Sequence, residues 1–401
     1  MKVLLLGADG FIGRHIAFHL RDQGHQVLAQ ARRTGPLSAM GFDVLKADLT
    51  DPATHDPVFW RPHLSSAQLI DAAGLLTGTE AQFRAVHHDA PKAALAALDA
   101  GAHALLISAV GLQADTPFAR WRRETEALFQ GHAILRPGLV LADTSYGGSS
   151  ALRAFAAFPL VIPVVGDGDQ PFNPIHAADL AAIALHHLAA PPATTEVGGP
   201  ETLTLSDLTR LIRRWLGLPQ RPLLRLPLPF ARAMGRLGDV LALGPISSTA
   251  VAQLQAGVTA QPHPMARSVR TFALARPAGT QDLWQTRLYL LKPLVRLSLA
   301  ALWLASAGLG LCLPASAFPE VAAPTLLARL GGMADLALGL ALLRNWHPRQ
   351  VALAQLALVG AYSVGLTALA PGLWLDPFGG LLKNLPILAL ILVHLALAEE
   401  R

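Results

Sequence analysis

Cysteine is nearly absent. One thiol, Cys312, stands in 401 residues. That excludes an intrachain disulfide and any cysteine metal cluster, and it fits a reducing compartment. Charge is scarce as well: Asp, Glu, Lys and Arg make up 15% of the chain, against about a quarter in an ordinary soluble domain. Aromatic residues are 6%, and no stripe of them is interleaved with the basic residues as base stacking requires. The basic residues are scattered, with local groups at Arg32-Arg33, Arg120 to Arg123 and Arg213-Arg214. The net charge of +5 therefore points away from nucleic acid and toward basic loops beside a membrane. No metal site is expected.

What the chain does contain changes character near residue 285. Before it, strands and helices alternate. Val3 to Leu6 reads as a strand buried on both faces, and Phe11 to Asp22 as the helix after it. Further strands are expected at Gln26 to Gln30, Asp43 to Lys46, Gln68 to Ala72, Ala104 to Ser108 and His132 to Arg136. Helices are expected at His87 to Ala100 and Phe118 to Gln130. That spacing argues for a parallel sheet covered on both faces. After Pro137 the pattern loosens. Val161 to Phe172 reads as a Gly/Pro/Asp-rich loop and Arg221 to Pro229 as extended chain. Helices are expected at His176 to Leu188, Leu203 to Leu216 and Phe230 to Ala242. The apolar run at the amino terminus is too short for a signal-peptide core and is followed at once by glycines. A cytoplasmic location is expected for the soluble part.

Four apolar runs follow: Leu288 to Leu313, Leu326 to Leu343, Val351 to Ala370 and Leu385 to Ala398. A span needs about 20 mostly apolar residues, with about 17 as the lower limit. The last run falls short unless Leu381 to Asn384 joins it. Arg287, Lys292 and Arg296 flank the first run, and Arg344 and Arg349 lie between the second and third. The other two loops carry Glu320 and Asp376, with Arg329 and Lys383 near them. This distribution puts both termini in the cytoplasm, in a multi-pass protein of the cytoplasmic (inner) membrane. A soluble helical domain is the alternative, but four such runs leave it too little polar surface.

Gly7, Gly10 and Gly13 form G-x-x-G-x-x-G between the first strand and its helix. The first glycine permits a tight turn, the second lets backbone approach a pyrophosphate, and the third lets helix and strand pack closely. The turn Gly7, Asp9, Gly10, Phe11, Ile12 and Gly13 is therefore a candidate dinucleotide site, the alternative being a remnant that no longer binds. An acidic residue about 20 positions later would hold the ribose of NAD. None is there. Arg32 and Arg33 are, and guanidinium groups suit the 2′-phosphate of NADP; the bland alternative is two solvated loop arginines, and NAD stays possible. Asp48-Leu49 can face the adenine edge, and Ala72-Ala73-Gly74 lets backbone run close to the cofactor.

These residues, with Asp71-Ala72-Ala73-Gly74, Ile107-Ser108-Ala109-Val110-Gly111, Arg136-Pro137-Gly138 and Pro174-Ile175-His176-Ala177-Ala178-Asp179-Leu180, resemble the extended and atypical short-chain dehydrogenase/reductases. The likeness covers about residues 1 to 210 and includes the atypical NAD(P)-binding group to which an accessory subunit of complex I belongs. Asp376-Pro377-Phe378-Gly379-Gly380-Leu381-Leu382-Lys383-Asn384-Leu385-Pro386 resembles a DoxX-like membrane domain, a four-helical family with some relatives linked to quinone or thiosulfate oxidation. The resemblance implies an α/β fold: a Rossmann-type doubly wound parallel sheet in residues 1–285, with a small substrate lobe at about 190–280. A four-helix transmembrane bundle in residues 286–401 follows. It also implies cofactor contacts from Ser108, Arg122 and Pro137.

One departure matters more than the match. The family's enzymes use a Tyr-x-x-x-Lys pair, the tyrosine passing a proton and the lysine holding the ribose. Here Phe118 stands at the tyrosine position and Arg122 at the lysine position. Phe118 has no titratable group; Arg122 can still hold a ribose or phosphate. Ser108 matches the family's active-site serine. Tyr146, one of three tyrosines, lies on a loop that can face a substrate and is a candidate replacement acid, though an ordinary loop residue is the plainer account. His87 titrates near neutral pH when free, but a structural hydrogen bond explains it better. His176 and Asp179 look like a pair; in the family this stretch closes the sheet near the nicotinamide, and Asp179 is expected to cap or brace its helix. In the membrane part Asp335 is costly unless functional or paired, and Lys383, Asn384 and His394 flank or enter the last run.

Two functions follow. One is a membrane-anchored NADP(H)-dependent oxidoreductase acting on a small or lipid-soluble, quinone-like acceptor. The other is a non-catalytic NADP(H) sensor or scaffold in a membrane complex. A sugar epimerase or dehydratase is weaker, because that chemistry needs the missing pair.

Overall fold

The computed structural model describes residues 1–243, 246–314, 316, 323–377 and 379–398; Glu320 and Phe378, named above, lie outside the described residues. The chain divides into two compact units. Residues 1–235 and 248–283 form the first; residues 236–247 and the chain from Trp284 onward form the second.

In the first unit β1 (Lys2–Leu6) leads to α1 (Phe11–Asp22), β2 (Gln26–Ala31), the short α2 (Gly35–Ala39) and β3 (Asp43–Lys46). The chain then returns through α3 (Pro57–Leu64) to β4 (Ala67–Asp71). It continues in the other direction through α4 (Glu80–Arg84), α5 (Ala90–Ala96), β5 (Ala104–Ile107), α6 (Pro117–Leu128) and β6 (Ala133–Pro137). Next come β7 (Val140–Leu141), α7 (Gly148–Ala156), β8 (Ile162–Val165), β9 (Pro171–Phe172), β10 (Ile175–His176), α8 (Ala177–Ala189) and β11 (Thr194–Val197). The sheet has seven strands in the order β11-β6-β5-β4-β1-β2-β3, and every pair in it is parallel. The winding reverses between β1 and β4, where an open parallel sheet forms its ligand crevice.

Val3 to Leu6 are fully buried because both faces of β1 are covered. Val3 and Leu5 pack with Ile16 and Leu20 of α1 and Leu180 and Ile183 of α8. Leu4 and Leu6 pack on the other face with Trp60, Leu64, Ala90 and Phe129. The lobe is completed by β12 (Leu203–Thr204), α9 (Leu205–Trp215), β13 (Leu223–Leu226), α10 (Leu228–Val240), α11 (Ser248–Ala256) and α12 (Val269–Ala273).

Three local readings are corrected. The helix expected at His87 to Ala100 starts at Glu80, capped reciprocally by Thr79 and Gln82, passes through a π-turn at Ala85–Asp89 and ends at Ala96. The loop expected at Val161 to Phe172 contains β8, which pairs with β13, and β9, which pairs with β12; its prolines, glycines and aspartates hide strands this short. The strand β11 has no counterpart in the sequence reading. Its four residues are mostly polar, and its register is set by pairing with β6.

The second unit holds α13 (Thr280–Cys312), α14 (Pro324–Leu343), α15 (Pro348–Leu369) and α16 (Asn384–Leu397). Among the described residues three helices, not four, are long and apolar enough to cross a membrane. At 14 residues, α16 is about 21 Å long against a hydrocarbon core of about 30 Å. Leu381–Lys383 forms a 3₁₀ turn that runs directly into it, so the last apolar helical stretch is Leu381–Leu397. Gly379 there is left-handed at φ +79°, and a side chain on Gly380 would press on Asp376 and the carbonyl of Leu373. The loop is folded too tightly for the α-helix to begin earlier.

Glycine permits close helix approach. A Cβ at Gly310 would come within 2.7 Å of the Ala328 carbonyl, and one at Gly339 within 2.8 Å of Leu304. Asp335 lies on this buried face, accepting hydrogen bonds from Ser306 Oγ of α13 (2.5 Å) and Tyr362 OH of α15 (3.0 Å). Arg329 is not its partner: that guanidinium donates to the carbonyls of Gly310 and Leu313. Fully buried Gln355 accepts from Trp303 Nε1 at 2.9 Å. Asp335→Leu leaves two half-buried hydroxyls without their acceptor, each loss expected to cost about 0.5–1.5 kcal/mol. The thermal midpoint of the detergent-solubilised protein should fall well below the wild type, with Asp335→Asn, which keeps one acceptor, in between.

Candidate dinucleotide site

The glycine turn is a crossing of backbones. Gly7 sits at φ +71°, and a Cβ there would lie 2.7 Å from Ala73 Cα. A Cβ on Gly13 would collide with the Gly7 carbonyl. Gly10 differs: it is the N-cap of α1, it is exposed, and the nearest atom to a Cβ there is Gly7 O at 3.1 Å. The first and third glycines thus seat the helix, and the second leaves its N-terminus open to a phosphate. Buried Gln30, which sequence reasoning passed over, holds the turn from β2. Its Oε1 accepts from the Gly7 N–H at 2.8 Å, and its Nε2 donates to the Ala47 carbonyl at 2.6 Å. A polar residue in the inward register of a buried strand was the available signal.

The two arginines after β2 separate. Arg33 lines a small cleft with Asp9, Arg14, Pro36, Leu37 and Met40. Arg14 Nη2 donates to the Asp9 carbonyl at 2.9 Å, and its buried Nε has no partner. Arg32 is exposed and acts on Asp48. Burial would raise the Asp48 pKa, but hydrogen bonds from Thr50 and the charge of Arg32 bring it below the usual value. Leu49 beside it is buried; Phe11 and Ile12 open α1, half-buried. The residues present fit a dinucleotide: an open helix N-terminus, a glycine with room above it, and a guanidinium-lined cleft where a ribose phosphate would sit.

Across the switch point, α6 carries Phe118, Arg122 and Glu126 one turn apart on one face. Arg122 is 5% exposed. Its Nη2 donates to the Ala73 carbonyl at 3.1 Å, while Nε and Nη1 are buried without partners among the described residues. A Cβ on Gly74 would press on this guanidinium. Two buried carboxylates feel the same cation. Asp71, at the end of β4, is pushed up to about 6 by burial, against the pull of Arg122 and the Ala73 N–H. Glu126 receives a bidentate pair from Arg136 (2.8 and 2.6 Å) and the Ser108 hydroxyl at 2.6 Å. Ser108 therefore points its proton at Glu126. Glu126 was missed, although it stands four residues after Arg122. His87 is structural: its Nε2 accepts from the Leu75 N–H at 3.0 Å, and burial, with Arg122 nearby, drives its pKa down to about 3.

The remaining candidates lie at the lobe. The Pro137 carbonyl accepts from Val110 N–H at 3.2 Å. Tyr146 is half exposed, its backbone tied reciprocally to the Ser149 hydroxyl at the start of α7. His176, rather than Asp179, is the N-cap of α8; Asp179 braces the helix by pairing with Arg267 at 2.8 Å. Among the described residues no group of three His, Cys, Asp or Glu side chains is placed to hold a metal ion.

Two opposite pH effects follow. Asp71, raised from 3.8 to about 6, stabilises the fold most below pH 4, and that contribution is lost as pH rises through 6, about 3 kcal/mol in all. His87, lowered from 6.5 to about 3, stabilises the neutral-pH fold, and about 5 kcal/mol is lost as pH falls from 6.5 toward 3. Acid lability is therefore led by His87. Thermal midpoints measured from pH 4 to 7 should rise with pH more steeply for Asp71→Asn than for the wild type, and should fall as pH rises for His87→Asn.

Residues 3–83 match the model of the NAD dependent epimerase/dehydratase family, and residues 298–392 that of the DoxX-like family. The chain is 27% identical over 267 residues to subunit 9 of the mitochondrial NADH dehydrogenase (ubiquinone) 1 alpha subcomplex of Arabidopsis thaliana, covering 59% of this chain and 63% of that one; it thus spans less than two thirds of that relative. It is 25% identical over 231 residues to a (4-alkanoyl-5-oxo-2,5-dihydrofuran-3-yl)methyl phosphate reductase of Streptomyces griseus, covering 55% and 75%. Among solved structures, a protein described as an epimerase from Burkholderia cenocepacia shares the fold, with a TM-score of 0.50 at 18% identity over 72% of this chain and 98% of that one. Sheet order, glycine turn and family matches agree: this chain joins an NAD(P)-binding domain of the epimerase/dehydratase, short-chain dehydrogenase/reductase-like type to a DoxX-like membrane domain.

Proposed function

We propose that the protein is a membrane-anchored NADP(H)-binding oxidoreductase that acts on a small or lipid-soluble, quinone-like acceptor without a Tyr/Lys pair. The observation that carries this is the cleft of Arg14 and Arg33 beside the open N-terminus of α1, with no carboxylate at the end of β2 to favour NAD. We take residues 1–285 as the nucleotide-binding part and 286–401 as the membrane part. The basic residues around α13 and between α14 and α15 support cytoplasmic termini.

In this reading Gly7, Gly10 and Gly13 seat the pyrophosphate, Arg33, Arg14 and Arg32 hold the 2′-phosphate, and Asp48 with Leu49 flanks the adenine. Ala72, Ala73 and Gly74 give backbone approach, and Arg122 presents its free N–H groups toward the nicotinamide ribose. A bound nicotinamide supplies a hydride. The chain's own residues position it and keep water out. Phe118 offers no proton, and the Ser108 proton is held by Glu126. An acceptor that draws its protons from water or from Tyr146 suits such a site.

A second reading is favoured by the same network: Phe118 has no proton to give and the Ser108 proton is held by Glu126, as suits a non-catalytic NADP(H) sensor or assembly subunit of a membrane complex. The similarity to a mitochondrial NADH dehydrogenase subunit supports it.

Fluorescence titration of the detergent-purified protein with NADPH and NADH tests the shared premise. Arg33→Ala and Arg14→Ala should each weaken NADPH by about 10–100-fold and leave NADH unchanged. Equal effects on both nucleotides would refute the 2′-phosphate assignment. NADPH oxidation by a soluble quinone analogue then separates the two readings. Turnover supports the enzyme; tight binding without turnover, unrelieved by Phe118→Tyr with Arg122→Lys, supports the sensor.

A further inference from the structure

The helix α10 is divided into sectors. Leu228 and Ala231 turn inward against Val165, Val251 and Leu254. Phe230, Met234, Leu237 and Val240 are 52%, 37%, 49% and 80% exposed, and at about 100° per residue they fall within a sector of about 120°. Arg236 stands on the flank of that sector, and Arg232 turns toward α11, donating to Gln255 Oε1 at 3.0 Å. Scattered exposed apolar residues need no explanation, but four large ones aligned on one helix do.

Two observations say what covers them. The first is continuity. The carboxyl-terminal turn of α10 and the residues after it belong to the same compact unit as α13 to α16. Arg296 of α13, 5% exposed, donates to the carbonyls of Leu241 and Ala242. The end of α10 is therefore tied to the first membrane-length helix at the level of its basic flank, Lys292 and Arg296. The second is charge. Between Arg221 and Val240 the sequence has four arginines and one aspartate. An apolar stripe with a basic flank is the composition of a helix lying in the plane of an anionic bilayer surface.

We infer that the Phe230, Met234, Leu237 and Val240 face of α10 lies in the headgroup–acyl boundary of an anionic bilayer, as an in-plane helix ahead of the spans. Phe230 and Met234 enter the acyl edge, and Arg236 reaches lipid phosphates.

The single native thiol makes the test direct. In a full-length Cys312→Ser background, Met234→Cys and Leu237→Cys are labelled with bimane, with Asp22→Cys on the exposed end of α1 as control. The proteins are placed in phosphatidylcholine–phosphatidylglycerol vesicles with and without brominated acyl chains. Brominated lipid should quench positions 234 and 237 at least about twofold and leave position 22 unchanged. Equal, weak quenching at all three, with equal reactivity to a water-soluble thiol reagent before labelling, would overturn the inference. So would self-quenching at 234 and 237 that grows with protein-to-lipid ratio while brominated lipid has no effect, since the face would then be covered by a second copy of the chain. Because the positions are exposed, each variant should keep the wild-type thermal midpoint.

Discussion

Two pieces of backbone cannot share one place, and the first unit is arranged around that limit. The carboxyl end of β1 passes so close to Ala72 and Ala73 that a Cβ on Gly7 has no room. The first turn of α1 sits so close to Gly7 that a Cβ on Gly13 has none either. These contacts bring the positive end of α1 to the point where the sheet reverses direction, the one edge of such a sheet where a ligand can reach several strand ends together. Gln30 fixes the turn from the side by bonding Gly7 and Ala47. Gly10, the N-cap of α1, is exposed, and a Cβ there would meet the Gly7 carbonyl at 3.1 Å, a looser fit than at the other two.

On the other side of the reversal, Phe118 and Arg122 leave α6 with a charge network and no tyrosine–lysine pair. The spacing of Phe118, Arg122 and Glu126 keeps one face of α6 on the site, but the chemistry has moved inward. Arg122 stands between two buried carboxylates, Asp71 and Glu126, and Arg136 and Ser108 complete the shell around Glu126. A guanidinium stays charged and cannot relay a proton. The Arg122 guanidinium acts on Asp71 and Glu126 through charge, while its hydrogen bond goes to the Ala73 carbonyl. Phe118 has no proton to give, and the Ser108 proton is directed at Glu126.

The sequence made the sheet legible where a strand carries four or more apolar residues, as in Val3 to Leu6, and where a glycine, Asp or Arg cluster follows it. It concealed β11, whose Thr194-Thr195-Glu196-Val197 gains its conformation from β6 alone, and β8, which sits among prolines and glycines. At the site, the glycines were readable because their reason is local. Gln30, Glu126 and Arg14 were not, because each acts on a residue far away in sequence: Gln30 on Ala47, Glu126 on Arg136 and Ser108, Arg14 on the cleft shared with Arg33. Asp71 was visible only as part of a stretch of backbone. Its buried carboxylate emerges once β4 and α6 are seen side by side.

The scarcity of charge noted at the outset has its counterpart in how the second unit handles polar atoms. A carboxylate among apolar helices needs donors, and Asp335 finds them on two neighbours, Ser306 and Tyr362, rather than in the arginine six residues before it. Arg329 instead covers carbonyls at the end of α13 that the helix leaves unpaired. Gln355 and Trp303 repeat the pattern one level away. Each pair joins different helices, so these bonds fix which faces meet, while the glycines at 310, 332 and 339 fix how closely. A helix as short as α16 can belong to such a bundle because its place is set laterally, through Ile391 in the shared core and the Asn384 bond to Ser363, and not by its reach across the bilayer.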